Sequence, residues 1–480
     1  MSSTETTTPA RPGASESGLR RGAMGGAELV AQAIANIAPS AVIAFTAAAI
    51  FVTAGKGTWL SFALATVVIL AVGYCISQFA KRRASAGSLY NYAAAGLGPF
   101  GAFLTGLTLV IGCFGIAAGS LSGAVIHFGA FLNQVGVGIS GVAGQVLIAV
   151  VLGGLAALFT VWGVRVSARV SLVLEIVSVT IITILLVIAL ANAGPAAFDP
   201  SQFSLEGVEP QGVAIGMVLA ILGFVGFSSA DALGREARNP FKAIPRAIMW
   251  SALGVVVLYV FAAYTQVVVL GDKLGSSVSP LDDIATIVGL PSWFNPILNL
   301  GIAASFFAVV VAPLNVIGRI VYVMGKEGVA PKYLGTTHAK LLTPHRALLV
   351  FAPLVILVPV VLYLFGVDAN DVLVWVDTFG TFGYMVAYAA VAIAAPIFLR
   401  RMGIKNWLVW PCVVVAVGGM AYVFWVNVVP IPAFPLNIIP LLFLVAVIAG
   451  VGRYAWVKKN RPDVIDAIGS TETDVLEGIG

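Results

Sequence analysis

The sequence predicts an all-α integral membrane protein with about twelve transmembrane helices. Of its 480 residues, 60% are hydrophobic and 10% are charged. A soluble globular chain carries roughly 25% charged residues. Apolar runs long enough to cross a bilayer recur along the whole chain, separated by charged or turn residues. A polytopic membrane protein is the class that reconciles this length with so few charges.

In chain order, the sequence divides into a tail, the predicted spans and a second tail. Residues 1–26 are rich in Ser, Thr, Pro and Gly, which is typical of disorder, and they show no signal-peptide pattern. We predict spans near residues 27–54, 57–80, 95–131, 139–164, 167–193, 211–235, 245–271, 293–324, 345–366, 370–399, 406–429 and 435–457. The run at 95–131 exceeds one span, so we expect an interfacial start or a tilt. We expect residues 458–480 to form an exposed, mobile tail.

The basic residues predict the orientation of the spans in the cell membrane. Of the 26 Lys and Arg residues, all but Lys56 and Lys273 fall in alternate loops on one side of the predicted spans. Such loops are cytoplasmic. We therefore expect both termini in the cytoplasm. The acidic residues of the opposite loops, including Asp282, are expected to be solvated.

Several other classes of protein and site are excluded by the sequence. The basic residues stand in short clusters between spans, so they indicate topology and no nucleic-acid partner. Cys75, Cys113 and Cys412 lie in separate apolar stretches and indicate free buried thiols. No phosphate-binding loop and no hydrolase or zinc-protease motif is present. We expect no enzyme activity, no catalytic residues, no cofactor and no metal. The oligomeric state is left open.

Two predicted spans carry residues that interrupt a helix. Pro39 removes a helical hydrogen bond in the first span, and Asn36 and Ser40 can cap the second half of a broken helix. In the sixth span, residues 223–231 combine glycines, serines and an aspartate, which favour turns and caps. Backbone groups freed in a membrane need protein or a water-filled cavity to satisfy them. Paired interruptions at corresponding positions of two halves indicate a transporter binding site.

Five stretches together resemble the amino acid–polyamine–organocation (APC) permeases. They are the interrupted first helix, residues 86–92 with 97–101, residues 223–229 with 236–240 and 243–247, residues 319–331, and residues 378–381. These stretches extend over residues 25–400. One departure is the first break, Asn36 to Ser40, which has fewer glycines than many relatives and allows a different or larger substrate.

The resemblance implies a five-plus-five inverted repeat of the LeuT-like kind that works by alternating access. The first repeat would comprise residues 27–193, the second residues 211–399, and two further helices residues 406–457. It also implies that the breaks bind the amino and carboxyl groups of a substrate. The candidate substrate-binding residues are Asn36, Ile37, Ala38, Pro39, Ser40, Ala41, Phe224, Gly226, Phe227 and Ser228. A helix start near Ser40 suits a carboxylate, and carbonyls near Ile34 and Phe224 suit an ammonium.

Four polar residues inside the spans are candidates for coupling or gating: Glu175, Ser178, Asp231 and Asp377. An ionisable group within a membrane is a functional hypothesis by default. Proton-coupled relatives can place a lysine where this chain has Ser178, so Glu175 could carry the proton instead, or be a structural carboxyl. Asp231 could line the inner vestibule or pair with an arginine, and Asp377 could belong to an outer gate.

Other polar and aromatic residues have more ordinary interpretations. Arg319 is expected to extend to the membrane interface, and His127 to be a core histidine. Phe224 and Phe227 could form a lid over the substrate or serve only in packing. Gly119 and Gly123 predict close helix packing.

The function that these observations favour is secondary active transport of amino acids, with a proton as the coupling ion and import as the direction. The partners would be a small-molecule substrate and the lipid bilayer. An amine or polyamine permease and an amino acid exchanger are the nearest alternatives. A membrane receptor or scaffold without transport, or a channel, is an alternative of another class.

Overall fold

The protein is represented by a computed structural model that describes residue 22 and residues 24–204, 207–469, 471 and 473–475. Within these ranges the chain is almost entirely helical. The helices are α1 (Gly26–Ile37), α2 (Pro39–Ala54), α3 (Thr58–Ala80), α4 (Leu89–Gln134), α5 (Gly141–Trp162), α6 (Val164–Asn192), α7 (Pro200–Ser204), α8 (Pro210–Leu222), α9 (Pro240–Leu270), α10 (Pro280–Ile287), α11 (Phe294–Glu327), α12 (His345–Leu364), α13 (Ala369–Arg401), α14 (Val409–Val426), α15 (Ile439–Asn460) and α16 (Pro462–Asp466). Two short strands are β1 (Arg83–Ser85) and β2 (Thr473–Val475).

Ten segments of the described chain are long and apolar enough to cross a membrane. The first, Gly26–Ala80, contains two crossings, which are α1 with α2 and then α3. The shorter apolar α8 begins a further crossing that continues beyond Leu222 without α-helix. These segments agree with the predicted spans and confirm the multi-helix membrane fold. The division into two inverted repeats stays a prediction.

Burial separates central from peripheral helices. The most apolar windows of α4, α11 and α13 are 78%, 89% and 78% buried within the protein, whereas those of α14 and α15 are about 20% buried. Lipid-facing helices need no protein partner for their apolar side chains, so α14 and α15 can lie at the edge. The central helices surround the two interrupted spans.

The long fourth helix is bent near its start, as the excess length of the predicted span suggested. Gly98 has φ +76°, a left-handed conformation that glycine adopts at little cost, and Pro99 follows it. Residues 89–97 therefore form a short helical segment that is set at a kink to the main membrane crossing.

The expectation for Arg319 is wrong, because its side chain is buried instead of extending to the interface. It is 2% exposed and forms a forked ion pair with Glu236, at 2.7 Å from Nε to Oε2 and 3.0 Å from Nη2 to Oε1. Its Nη1 also donates to the Asn315 carbonyl at 2.7 Å. The planar guanidinium can satisfy several acceptors at once, which makes burial tolerable when a carboxylate is supplied.

The expectation of an exposed C-terminal tail is wrong for the part that the structure describes. Val464 and Ile468, four residues apart, are 3% and 7% exposed, because they pack as an apolar pair against the core. β2 then pairs antiparallel with β1, so a small sheet is added to the all-α fold. The amides of Gly469 and Thr471 donate to Glu327 at 3.0 and 3.2 Å.

The start of the chain is likewise held where it is described. The predicted tail 1–26 lies mostly outside the described residues. Met24, however, is fully buried and its amide donates to the Glu236 carbonyl at 2.9 Å. The Arg238 amide donates to the Met24 carbonyl at 3.0 Å. Glu236 therefore joins the chain start, the end of the sixth span and α11 on the predicted cytoplasmic side.

The substitution Arg319→Met tests this buried ion pair. It leaves the Glu236 carboxylate buried without its counter-charge, which costs about 3–5 kcal/mol of stability. We expect a clearly lowered midpoint in thermal unfolding of the purified protein in detergent.

The matched control is Arg169→Met, which removes a cation whose side chain is 56% exposed and pairs with Glu28 at 3.1 Å. Exposed pairs contribute about 0–1 kcal/mol, so this variant should unfold close to wild type. The double variant Glu236→Gln, Arg319→Met should recover part of the lost stability. Equal midpoints for Arg319→Met and Arg169→Met would contradict the assigned role.

Candidate functional site

The first span is broken where the sequence predicted it. α1 ends at Ile37, and Ala38 adopts a left-handed conformation with φ 52° and ψ 64°. α2 then starts at Pro39, a position where proline loses no helical hydrogen bond. The Ala38 amide still donates to the Ile34 carbonyl at 3.1 Å. The break therefore presents the N-terminus of α2 inside the protein.

The sixth span is broken opposite the first. α8 ends at Leu222, and residues 223–228 run as turns until a 3₁₀ segment at Ser229–Leu233. Gly226 has φ +90°, and a Cβ there would lie 2.3 Å from the Asn36 amide nitrogen. Only glycine allows this approach. The inner half of this span is therefore not an α-helix.

Direct hydrogen bonds tie the two breaks to each other and to the scaffold. Asn36 Nδ2 donates to the Gly226 carbonyl at 3.1 Å. The Gly226 amide donates to the Tyr388 hydroxyl at 3.0 Å, and the Tyr259 hydroxyl donates to the Gly223 carbonyl at 2.8 Å. Backbone groups freed by the breaks thus find protein partners, as a membrane interior requires.

A cavity of about 190 Å³ lies between the breaks and the central helices. It is lined by α2, by the end of α8, and by α4, α11 and α13. The polar residues of its lining are Asn36, Thr46, Ser120, Asp377, Thr378 and Thr381. The rest of the lining is apolar apart from Gly223. Such a pocket, mainly apolar with few polar groups, is typical of a small-molecule site.

The structure brings some of the sequence-predicted residues to this cavity and not others. Those in its lining are Asn36, Ile37, Ala38, Ala41 and Asp377. Pro39, Ser40, Phe224, Gly226, Phe227 and Ser228 belong to the breaks but lie outside the lining. Sequence reasoning missed Ser120, Phe306 and Thr381. Ser120 lies within the Gly119–Gly123 pattern, and Thr381 ends a stretch that resembled the family's tenth helix, so both had a usable signal.

Phe224 and Phe227, which could have formed a lid, pack against tyrosine rings outside the cavity lining. Both are fully buried. The Phe224 ring lies 5.1 Å from the Tyr259 ring, and the Phe227 ring lies 5.4 Å from the Tyr388 ring. Because neither ring is in the cavity lining, both serve in packing in this conformation.

Glu175 contacts the first break directly. Its Oε1 accepts from the Ser40 amide at 3.3 Å and from the Ser40 hydroxyl at 3.1 Å. The Glu175 side chain is buried on α6, with the Ser305 hydroxyl beside its carboxyl group. A carboxylate at a helix N-terminus is stabilised by the free amides and the helix dipole. Ser178, one turn later, is buried and packs against Gly301.

Asp231 lies on the predicted cytoplasmic side of the sixth span. Its Oδ1 accepts a hydrogen bond from the Ser88 hydroxyl at 2.6 Å. Among the described residues no ion pair joins it to an arginine, so the paired alternative is not what the structure has. The nearby Gly234 amide donates to the Ser85 carbonyl at 3.2 Å. Together with the Glu236–Arg319 pair, these contacts join the end of the sixth span to β1, to the start of α4 and to α11.

A smaller pocket lies on the outward side of the cavity. Phe45, Phe306 and Leu373 line both spaces. His127 is half-buried and lines this smaller pocket, with its Nδ1 2.9 Å from Asn299 Oδ1. Asn299 Nδ2 also donates to Asp282 at 3.1 Å. Asp282, in α10 outside the spanning helices, is therefore half-buried and not solvated as expected, and this burial raises the pKa of its carboxyl.

Other expectations concern thiols, glycines and metals. The three cysteines are free, as predicted, but only Cys75 and Cys113 are buried, whereas Cys412 is half-buried. A Cβ at Gly119 would lie 2.2 Å from Asp377 Oδ1, and one at Gly123 would lie 2.3 Å from the Phe306 ring, which confirms close helix packing. Within the described part of the chain, no three His, Cys, Asp or Glu residues are grouped as metal ligands.

Comparison with known proteins gives a family match over most of the chain. A family model described as amino acid permease matches residues 29–451. The chain is similar to an uncharacterized transporter of Mycobacterium tuberculosis, with 28% identity over 63% of this chain and 66% of the relative. It is also similar to the branched-chain amino acid permease BcaP of Bacillus subtilis, with 26% identity over 62% and 65%. It is also similar to the chloroplastic cationic amino acid transporter 7 of Arabidopsis thaliana, with 24% identity over 67% of this chain and 57% of the relative. The matches thus cover less than two thirds of the length of each relative.

The contact between the breaks is tested by Gly226→Ala. A Cβ would collide with Asn36 and strain a backbone with φ +90°, so the Asn36–Gly226 link should be lost. We expect ligand-induced thermal stabilisation to disappear in this variant. The control is Gly254→Ala, at a helical site with open space around the added methyl group. Ligand stabilisation that survives in Gly226→Ala would contradict this role of the break.

Proposed function

The chain belongs to the amino acid permease family of the APC superfamily, and from this premise we propose a secondary active transporter that imports amino acids with protons by alternating access. Members of this family are transporters and not enzymes, so a substrate would cross the membrane chemically unchanged. The cell membrane is the proposed location, with both termini in the cytoplasm. The near-complete segregation of Lys and Arg to one side supports this orientation.

The observation that carries the proposal is the meeting of two broken helices at one cavity. The cavity is lined from Asn36 and Ala41 on one break and from Gly223 and Val225 on the other. Its lining continues along Phe45 and Thr46 towards the predicted outer side. On the cytoplasmic side, Glu236 with Arg319 and Asp231 with Ser88 close the protein. A cavity closed on one side is what alternating access requires of one of its two states.

Glu175 provides a physical route from proton binding to movement. Its carboxylate caps α2 through the Ser40 amide, so the charged form holds α2 against α6. A proton on Glu175 would remove the charge that the α2 N-terminus stabilises and weaken this cap. Ala41, in the same first turn of α2, lines the cavity, so a substrate carboxylate bound there would compete with Glu175 for the positive end of this helix. Proton and substrate would then bind together, which is the condition for symport.

The proposed transport is tested by uptake of radiolabelled amino acids into proteoliposomes. We expect saturable uptake that rises when the outside is made more acidic than the lumen and falls when an ionophore collapses that gradient. Liposomes without protein are the background control. If no amino acid shows saturable uptake or exchange, the proposed function fails.

The coupling role is tested by Glu175→Gln in the same proteoliposomes. Glutamine keeps the size of the side chain but cannot carry the proton. We expect accumulation driven by a pH gradient to be abolished, while exchange of internal for external substrate stays close to wild type.

The matched control for Glu175→Gln is Glu209→Gln, which changes an exposed glutamate at the start of α8. Accumulation should be unchanged in this control. If the Glu175→Gln variant accumulates substrate as the wild type does, Glu175 has only a structural role at the α2 N-terminus.

A further inference from the structure

The central cavity contains one ionisable side chain among its lining residues, and the transport mechanism above does not use it. This side chain is Asp377, on α13. Its Oδ1 is buried and has no hydrogen-bond partner among the described residues. A buried carboxylate without a partner is costly, so a counter-charge or a proton must be supplied when the site is in use.

Tight helix packing places Asp377 at the cavity wall. α13 lies against α4 along facing glycines, and a Cβ at Gly115 would lie 2.5 Å from the Gly380 Cα. One turn further along, a Cβ at Gly119 would lie 2.2 Å from Asp377 Oδ1. The carboxylate therefore occupies the groove that the missing side chain of Gly119 leaves. This backing limits the positions that the carboxylate can adopt and keeps it beside the cavity.

The protein supplies no cation to Asp377 within the described residues. The cavity lining contains neither lysine nor arginine, and its other polar groups are hydroxyls and the Asn36 amide. Thr378 and Thr381 donate their hydroxyls to the carbonyls of Val374 and Asp377. These two hydroxyls are engaged along their own helix, so Asp377 keeps its capacity to bind a positive group.

The carbonyls of the sixth-span break, in contrast, are largely occupied. The Gly226 carbonyl accepts from Asn36 and from the Ser229 amide at 3.1 and 2.9 Å, which uses both of its lone pairs. The Gly223 carbonyl accepts from Tyr259, and the Phe224 carbonyl accepts from the Phe227 amide. A carboxylate is a stronger partner for an ammonium group than a carbonyl that is already in use.

We propose that Asp377 binds a positively charged ammonium group of the substrate and so selects cationic substrates. The proposal rests on the proposed transport function and adds the substrate class: a basic amino acid or an organic amine. Both classes share the ammonium group, and they differ in whether a carboxylate is also present.

Binding of three ligands to the purified protein distinguishes basic amino acids from organic amines. Lysine has both a side-chain ammonium and a carboxylate, norleucine has the same carbon chain without the side-chain ammonium, and cadaverine is lysine without its carboxylate. Equilibrium binding of each to wild type should give lysine or cadaverine at least ~10-fold tighter than norleucine, as expected for one charge-assisted contact. Tight binding of cadaverine with weak binding of lysine would assign organic amines as the substrate class. Tight binding of lysine with weak binding of cadaverine would assign the basic amino acids.

The substitution Asp377→Asn should remove that preference. The amide has the same shape, so norleucine should bind within ~3-fold of wild type while the cationic ligands lose at least ~10-fold. The matched control is Asp371→Asn, which changes an exposed aspartate on the same helix outside the cavity lining. It should leave all three affinities unchanged.

The failures of the two proposals differ. Wild-type protein that binds norleucine as tightly as lysine and cadaverine overturns the role of Asp377, even if Asp377→Asn cannot be purified. Equal losses for lysine and norleucine in Asp377→Asn overturn it as well. Absence of uptake for every amino acid and amine instead removes the transport function itself.

Discussion

The structure depends on one requirement, which is that the backbone groups exposed by the two helix breaks must find hydrogen-bond partners inside the membrane. A peptide group left unpaired in hydrocarbon costs several kcal/mol, so a broken span survives only where side chains replace the lost helical bonds. Here the replacements come from distant parts of the chain. Asn36 bonds the Gly226 carbonyl, Tyr388 accepts from the Gly226 amide, and Glu175 caps the start of α2. Because these bonds cross between helices, each break can change only together with its neighbours.

The charged side chains inside the membrane region likewise need partners. Arg319 and Glu236 neutralise each other in a forked pair on the predicted cytoplasmic side. Glu175 has a helix N-terminus as its partner, and Asp231 has a serine hydroxyl. Asp377 alone among these five has no such partner in the described residues. This graded pairing is the basis of our proposals that Glu175 carries a proton and that Asp377 binds the substrate, whereas Arg319 and Glu236 pair with each other within the fold.

Much of the fold was predictable from local sequence, and the site only in part. Long apolar runs, Pro39 and the glycines around residue 226 act on their own neighbours, so the spans and both breaks were predicted correctly. The lining from α4, α11 and α13 depends on which helices meet, and a pattern of residues along one helix does not reveal it. Arg319 was misjudged because its partner Glu236 is contributed by another span. The exposure of the C-terminal segment was misjudged because Val464 and Ile468 pack against the hydrophobic core, and the sequence of the segment does not show which residues it contacts.

The pairing of β1 with β2 has a consequence for biogenesis. β1 follows the second crossing, whereas β2 lies beyond the last one. The edge of β1 therefore stays unpaired until synthesis of the chain is almost complete. Membrane helices are inserted as the chain is made. β2 can pair with β1, and the Gly469 amide can reach Glu327, only after the last crossing has been synthesised. The small sheet is therefore among the last contacts of the fold to form.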